Sequence, residues 1–352
     1  MARRKKVSLK DIAEKAGVST ALVSYVLNGK EKESRVGAET ALKIKELAKQ
    51  FNYTPNFVAK SLRSGKTFTI GLIIADIANP FFASIAREIE NEAKDSGYTV
   101  IIGSSDERSD KFRDLLSVFI DRQLDGLIIV STEGSADQIK SLQRRKIPFV
   151  LLDRYFPEID TDFVSIDSYQ ASFSAAQHLL QNGFKRIGFI GYESKLFHMK
   201  ERKRGVWDAM RQAGIKVSPG WTRDLKFDEV ETSMYETIKS MLDDSQSIDS
   251  IIFGTYRLAI NGLKAIRLLK VKIPSELAIV SYGQAESFEL YECPITYLEQ
   301  PLTALGKKAV EILLDRIENN KEEKIKLLMK AQLKIGESSN YSGKVKDHSI
   351  LN

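Results

Sequence analysis

The stretch SLKDIAEKAGVSTALVSYVLNG, from Ser8 to Gly29, constrains the fold of this chain more than any other. Ser8 can accept a hydrogen bond from the backbone of Asp11, which is typical of the start of a helix. Gly17 suits the left-handed conformation that ends a helix, and Ser19 can cap a second helix that starts almost at once. The spacing therefore predicts two short helices joined by a tight turn, a helix-turn-helix.

The second helix has its apolar residues on one face, which leaves the other face free for recognition. Val23, Val26 and Leu27 are spaced i, i+3 and i+4, so we expect them to pack against the first helix. A third amphipathic helix between Gly37 and Asn52 would complete a small core. An ordinary helix pair in a larger helical domain is the alternative. The outward positions, which form the candidate recognition surface, are Thr20, Ala21, Ser24, Tyr25 and Asn28.

Positive charge is concentrated in the same part of the chain. The net charge is +6, but residues 1–66 hold 15 Lys+Arg and 6 Asp+Glu, a net +9, so the remainder carries −3. A module that binds nucleic-acid phosphates needs such an excess. The charge distribution favours DNA binding by the helix-turn-helix over a purely structural helix pair.

From Thr69 onward, short β-branched runs alternate with amphipathic helices, a pattern typical of parallel sheets covered by helices. We expect helices over 80–96, 169–181, 200–212 and 304–318. The candidate strands are 70–75, 99–104, 126–131, 149–153, 163–167, 186–191, 250–255 and 277–282.

Four motifs occur in order: KDIAEKAGVS, VSYVLN, Y-x-P-N-x-x-A-x-x-L from Tyr53 to Leu62, and G-x-x-x-x-D-x-x-N-P-F-F from Gly71 to Phe82. In these motifs the chain resembles the LacI/GalR family of bacterial transcriptional regulators, and the resemblance extends to about residue 338. It implies an all-α helix-turn-helix head and an α/β periplasmic-binding-protein-like core of two Rossmann-like subdomains.

The resemblance also implies where the domains begin and end. The chain would cross between the two subdomains near Asp167, Pro294 and Lys330. The expected parts are a DNA-binding domain over 1–53, a hinge over 54–67, an effector-binding and dimerisation domain over 68–338, and a disordered polar tail over 339–352.

In such regulators the second helix reads the major groove and the hinge enters the minor groove. Thr20, Ala21 and Tyr25 would reach base edges, and Leu62 would insert as a wedge between base steps. Leu62 as simple interdomain core is the alternative. The complete set of expected DNA contacts is Lys10, Ser19, Thr20, Ala21, Ser24, Tyr25, Asn28, Asn56, Ala59 and Leu62.

A small-molecule effector is expected in the cleft of the core, where strand ends and helix N-termini converge. Arg257 and Gly283 stand where relatives commonly have Asp, so a positive charge replaces acceptors for sugar hydroxyls. This suggests an anionic effector, a sugar acid or sugar phosphate, unless Arg257 faces solvent. The expected contacts are Asn79, Phe81, Phe82, Arg154, Arg202 and Arg257.

The predicted function is a transcriptional regulator, expected to be a repressor, that acts as a homodimer on double-stranded operator DNA. No catalytic role is expected, because no G-x-G-x-x-G follows the first strand and the three histidines are scattered. We expect no cofactor and no metal. One cysteine and the lack of an 18-residue apolar run suit a cytoplasmic protein away from membranes. The alternatives are a transport-type sugar-binding protein and a regulator controlled by a protein partner.

Overall fold

The computed structural model divides into two compact units, here called the head and the core. The head ends at Thr67 and the core begins at Phe68. The residues that the structure describes are 7–31, 34–53, 65–243, 247–319 and 323–340.

The described part of the head contains three helices whose ends follow the predicted signals. The Ser8 hydroxyl accepts from the backbone N of Asp11 at 3.3 Å, and the Asp11 carboxylate accepts from the backbone N of Ser8 at 2.7 Å, which closes a capping box. Gly17 adopts φ 73°, and the Ser19 hydroxyl accepts from the backbone N of Leu22 at 3.2 Å. The helices are α1 (Leu9–Ala16), α2 (Thr20–Leu27) and α3 (Ala38–Gln50).

One small apolar cluster holds these helices together. Val23 and Val26 are almost fully buried, as the helical spacing predicted, while Leu27 is half-buried against the same cluster. Asn52 adopts φ 48° just beyond α3, the conformation expected at its end. The fully buried members are Ile12, Ala13, Ala16, Val23, Val26, Ala41, Ile44 and Ala48.

The core contains two six-stranded sheets with helices between the strands. Its strands are β1 (Thr69–Ile74), β2 (Thr99–Ser104), β3 (Gly126–Ile129), β4 (Phe149–Leu152), β5 (Phe163–Ile166), β6 (Ile187–Tyr192), β7 (Thr222–Leu225), β8 (Ser250–Phe253), β9 (Ala278–Tyr282), β10 (Thr296–Glu299), β11 (Lys326–Met329) and β12 (Gln332–Lys334). Its helices are α4 (Pro80–Asp95), α5 (Ser109–Asp121), α6 (Ala136–Arg144), α7 (Ser168–Gln181), α8 (Phe197–Gln212), α9 (Val230–Asp243), α10 (Tyr256–Leu268) and α11 (Leu302–Asn319).

The strand order is β11-β5-β4-β3-β1-β2 in the first sheet and β12-β10-β9-β8-β6-β7 in the second. All pairings are parallel except that of β10 with β12. The central strands are buried along their whole length because helices cover both faces of a parallel sheet. Each sheet with its helices is one subdomain, as the resemblance implied.

The chain crosses between the subdomains three times. The first crossing at Asp167 and the last near Lys330 lie where they were expected. The second is not at Pro294, because β10 follows Pro294 and still pairs within the second sheet. The chain crosses instead between Glu299 and Leu302, after which α11 packs against α4, β3 and β4 of the first subdomain.

The strand pattern missed the four strands that lie at or near the edges of the sheets, β7, β10, β11 and β12. They are short and only partly buried, so they lack the continuous apolar run of a central strand. The expected polar tail also begins too early at 339. Ser339 is fully buried, and its hydroxyl lies 2.5 Å from that of Thr296 and 2.7 Å from Nε2 of His178.

Candidate functional sites

The outer face of α2 is a row of polar and small side chains. Thr20, Ala21 and Tyr25 are exposed there, and Tyr25 keeps 39% of its surface accessible. The Tyr25 ring is not part of the apolar cluster of the head and lies on the face of α2 that the cluster leaves uncovered. The arrangement leaves these side chains free to enter a groove.

Three other expected contacts of the head are already engaged in the helix itself. The Ser19 hydroxyl caps α2, and the side-chain amide of Asn28 donates to the backbone O of Ser24 at 2.7 Å. Lys10 is exposed, with Glu14 one turn away at 4.0 Å. These residues fix and flank the recognition helix. The expected hinge contacts Asn56, Ala59 and Leu62 lie outside the described residues.

A cavity of about 200 Å³ lies between the two subdomains of the core. It is built at the carboxyl ends of the strands, because residues that follow β2, β3, β4, β6, β7, β8 and β10 all reach it. The apolar and aromatic lining consists of Phe81, Phe82, Tyr192, Leu196, Met199, Phe227, Tyr256 and Tyr282. The polar lining consists of Asn79, Glu107, Glu133, Asp153, Arg154, Glu193, Ser194, His198, Arg202, Thr255 and Gln300.

Five of the six residues expected at an effector site line this cavity, and they come from both subdomains. They are Asn79, Phe81, Phe82, Arg154 and Arg202.

Arg257 is the exception, because it does not line the cavity. Its guanidinium lies over the ring of Phe227, 4.2 Å from the ring centroid, and Phe227 itself faces the cavity. Arg257 is therefore turned neither to the cavity nor fully to solvent. Its contact with the cavity is through the ring of Phe227.

Arg154 is held by a two-point ion pair. Its Nη1 and Nη2 donate to the two carboxylate oxygens of Glu107 at 2.7 and 2.6 Å, and Nη1 also approaches the backbone O of Ser131 at 3.3 Å. Its Nε is buried without a hydrogen-bond partner among the described residues. The charge of Arg154 is thus already matched by the protein.

Arg202 reaches the cavity from α8 and is 5% exposed. Its Nη1 donates to the backbone O of Gly254 at 2.8 Å, and its guanidinium lies 3.6 Å from the ring centroid of Tyr282. The Nε of Arg202 is buried without a hydrogen-bond partner in the described part of the chain. The side chain is therefore held in place by these contacts, while its Nε–H remains unpaired.

Burial shifts the pKa of two neighbouring groups. Burial raises the pKa of the Asp153 carboxyl, although Arg154 and Arg202 act in the opposite direction. Burial, together with the positive charges of Arg202 and Arg154, holds the pKa of His198 well below its usual value. His198 is consequently an uncharged imidazole at neutral pH.

Hydrogen bonds link the two subdomains across the cavity. The hydroxyl of Tyr256 donates to Oδ1 of Asn79 at 2.9 Å, and the same Asn79 oxygen caps α4 by accepting from the backbone N of Phe81. The carboxylate of Glu133 accepts from the backbone N of Lys195 at 3.1 Å. Because these hydrogen bonds link different subdomains, a change in the width of the cleft would stretch or break them.

Sequence reasoning missed most of the polar wall. Glu107, Asp153, Glu193, Thr255 and Gln300 each follow a strand by one to three residues. Their position just after predicted strands was a usable signal for most of them, because strand ends meet at one edge. The strand before Gln300 was itself not predicted, so this signal was missing there.

Among the described ranges, no group of three or more His, Cys, Asp or Glu side chains could hold a metal ion. The helices in the same ranges include none that is long and apolar enough to cross a bilayer.

A helix-turn-helix head joined to a two-subdomain α/β core with a cavity between the subdomains defines a class: ligand-responsive DNA-binding regulators. Comparison with known proteins agrees. Residues 8–56 match the model for bacterial regulatory proteins of the lacI family, and residues 67–337 match the model for periplasmic binding proteins and the sugar binding domain of the LacI family. The chain belongs to the LacI family.

Relatives and solved structures support the same family. The chain is 30% identical over 317 residues to the HTH-type transcriptional repressor PurR of Actinobacillus pleuropneumoniae serotype 3, an alignment that covers 90% of this chain and 93% of that one. It is similar in fold to the lac repressor dimer bound to operator and the anti-inducer ONPF, with a TM-score of 0.84, 21% identity, and 95% and 99% of the two chains covered.

A LacI family transcriptional regulator from Enterococcus faecium with bound ribose is also similar. The TM-score is 0.68 and the identity 25%, over 77% of this chain and 98% of that one. The relatives are regulators, in agreement with the expectation that this chain is not an enzyme.

Proposed function

We propose that this protein is a cytoplasmic transcriptional repressor that binds operator DNA as a homodimer. A small molecule in the core cavity controls its affinity for DNA. The observation that carries the proposal is a cavity between two subdomains that contains rigidly held guanidinium groups with unused donors. A ligand that satisfies them would favour one cleft width over another. Repression is proposed because the relative of this chain is described as a repressor.

In the head, the proposed reading residues are Thr20, Ala21 and Tyr25, which are exposed on α2. Thr20 can contact a thymine methyl or a base edge, Ala21 offers an apolar contact, and the Tyr25 hydroxyl can donate or accept. Lys10, Ser19, Ser24 and Asn28 would hold phosphates and set the register of the helix in the groove. Two heads related by a two-fold axis would read two half-sites.

In the hinge, Leu62 is proposed as a wedge in the minor groove, flanked by Asn56 and Ala59. An apolar side chain inserted between base steps kinks DNA and brings more protein surface into contact. Leu62→Gly should weaken operator binding and leave effector binding unchanged, as measured by gel retardation and calorimetry on the full chain. Equal operator affinity of the two proteins would contradict the wedge.

The proposed effector is uncharged. Four carboxylates and two guanidiniums line the cavity, Glu107 already neutralises Arg154, and Arg257 does not reach the space. The positive charge on which the anionic expectation rested is therefore absent from the cavity wall. With Arg154 paired, Arg202 is the one guanidinium of the described lining that no carboxylate neutralises, and Glu133, Asp153 and Glu193 line the same cavity, so an anion would find no surplus of positive charge there.

Two classes of uncharged ring compound fit the wall of aromatic faces and hydrogen-bonding groups. A monosaccharide is favoured by the similarity to a regulator with bound ribose. A purine-type base is favoured by the relative named PurR. The cavity volume of about 200 Å³ suits one small ring compound, because drug-sized ligands occupy roughly 300–1,000 Å³.

Calorimetry with the purified full chain tests this proposal, with ribose, glucose, hypoxanthine and glucuronate as ligands. We expect one of the uncharged compounds to bind and to change retardation of DNA from the upstream region of its own gene, and glucuronate not to bind. Arg202→Ala should weaken that binding at least about tenfold. Arg204→Ala is the matched control, because Arg204 lies on the same helix but pairs with Glu201 at the surface. Tight binding of glucuronate alone would contradict an uncharged effector.

A further inference from the structure

Two histidines in the described part of the core are similarly buried but differently bonded. His178 is 8% exposed, and its Nε2 and Nδ1 lie 2.7 Å from the Ser339 hydroxyl and 3.4 Å from the Asn182 amide. His198 is 7% exposed, and its Nδ1 is buried without a hydrogen-bond partner within the described residues. A buried polar group without a partner destabilises a fold, so His198 is not explained by stability.

The position of His198 explains it better. It lies in the first turn of α8, four residues before Arg202, so both side chains are on the same helix face and both line the cavity. The charged groups that face it are the guanidiniums of Arg202 and Arg154. A proton on the imidazole would add a third positive charge to this wall, and the ring therefore stays neutral with one N–H and one lone pair.

We infer that His198 contacts the effector directly and selects for an uncharged hydrogen-bonding group on it, an inference that rests on the proposed effector cavity. A neutral imidazole offers one donor and one acceptor in fixed directions, and a hydroxyl or a ring nitrogen can use either. The effector supplies the hydrogen bond that the protein leaves unmade. A site that leaves a buried polar atom unpaired discriminates strongly against ligands that cannot pair with it.

The first test needs no ligand and compares the melting temperatures of three full-length proteins. His198→Leu replaces the imidazole by an apolar side chain of similar volume, so the ligand-free variant should melt about 2 °C or more above the wild type. His178→Leu is the matched control and should melt below it, because the same change removes two hydrogen bonds. If the role of His198 were structural, the melting temperature would fall in both variants, and that result would overturn the inference.

The second test uses calorimetry with ribose and hypoxanthine as probes. For a probe that binds the wild type, His198→Leu should weaken binding at least about tenfold. His198→Asn keeps a polar atom near the position of Nδ1 and should retain most of the affinity, and His178→Leu should leave it unchanged. Unaltered binding to His198→Leu would overturn the inference. If neither probe binds the wild type, the proposed effector classes fail, and the melting temperatures alone decide the role of His198.

Discussion

The head and the core place their functional side chains in opposite ways. The head packs eight small or branched apolar residues inside and presents Thr20, Ala21 and Tyr25 to solvent, where water satisfies their polar groups. The core buries charged side chains such as Arg154 and Arg202 in a cavity wall. Exposed recognition groups cost the fold little, whereas buried ones must be paired by the protein or by a ligand.

This difference determines how each unit responds to change. In the head, the recognition surface exists only when the short helix α2 is folded, so a change that unfolds this helix should abolish DNA binding. In the core, the site depends on pairs of residues that are far apart in the chain, such as Glu107 and Arg154. Removing one member of such a pair leaves the charge of the other buried without that partner. The predictions below test this contrast.

The largest effect is expected from Asp162→Ala. Asp162 accepts from Nε and Nη2 of Arg316 at 2.9 and 2.8 Å and from the backbone N of Ile325 at 2.8 Å, and both charged side chains are under 7% exposed. The change removes the two-point carboxylate partner of the buried Arg316 guanidinium, which should lower the free energy of unfolding by about 3 kcal/mol.

Guanidinium unfolding followed by tryptophan fluorescence would measure this loss, because Trp207 and Trp221 both lie in the core. Asp160→Ala is the matched control. Asp160 pairs with Lys326 at 2.7 Å on the exposed surface, so its loss should leave the unfolding midpoint unchanged. If the unfolding midpoint of the core were the same for Asp162→Ala as for the wild type, the buried pair would not support the fold.

The next effect belongs to the head. Ile12 is fully buried in the head cluster, and Ile12→Ala should cost about 2–5 kcal/mol, which approaches the whole stability of so small a unit. DNA retardation should be lost while the tryptophan transition of the core stays where it was. Leu42→Ala, at a residue of α3 that is 61% exposed, is the control and should retain DNA binding. A shift of the tryptophan transition with Ile12→Ala would break the separation between the units.

A pH effect should distinguish the units further, because the head contains no histidine. Burial lowers the pKa of both His178 and His198, so below about pH 6.5 the unfolded chain binds protons that the folded core does not. The unfolding free energy of the core should therefore fall as the pH drops, by up to about 1.4 kcal/mol per pH unit for each histidine.

The raised pKa of Asp153 acts in the opposite direction, because a group protonated only in the folded state stabilises at low pH and loses that contribution as the pH rises. The contribution of His178 to the pH dependence of the unfolding free energy is therefore isolated by comparing the wild type with His178→Gln. Both proteins are measured by denaturant unfolding at pH 7.5, 6.5 and 5.5. Parallel pH profiles for the two proteins would contradict the prediction.

The smallest effect is expected at the first helix of the head. Ser8→Ala removes the hydroxyl that accepts from the backbone N of Asp11 and should cost about 1 kcal/mol. Far-UV circular dichroism should show earlier unfolding of the head, with the tryptophan transition unchanged. Ser8→Thr keeps the cap and should restore most of the loss. An unaltered head transition with Ser8→Ala would show that the capping box contributes nothing.

The sequence was most informative where structure is local. The capping residues, Gly17 and the spacing of Val23 and Val26 predicted the helix-turn-helix correctly, because caps and helical faces involve residues three or four positions apart. The central strands of the core were equally visible, because burial on both faces requires continuous apolar runs. Five of the six effector contacts expected from the family resemblance lie on the cavity wall.

Only the tertiary structure decided which side chains meet. It paired Arg154 with Glu107, turned Arg257 onto Phe227, and buried Ser339 and His198. It also placed four strands at or near the sheet edges, and a crossing after Glu299, that no apolar pattern had indicated. Contacts between residues tens or hundreds of positions apart depend on how strands and helices stack. The charge and shape of the cavity follow from that stacking, which cannot be read from the order of residues along the chain.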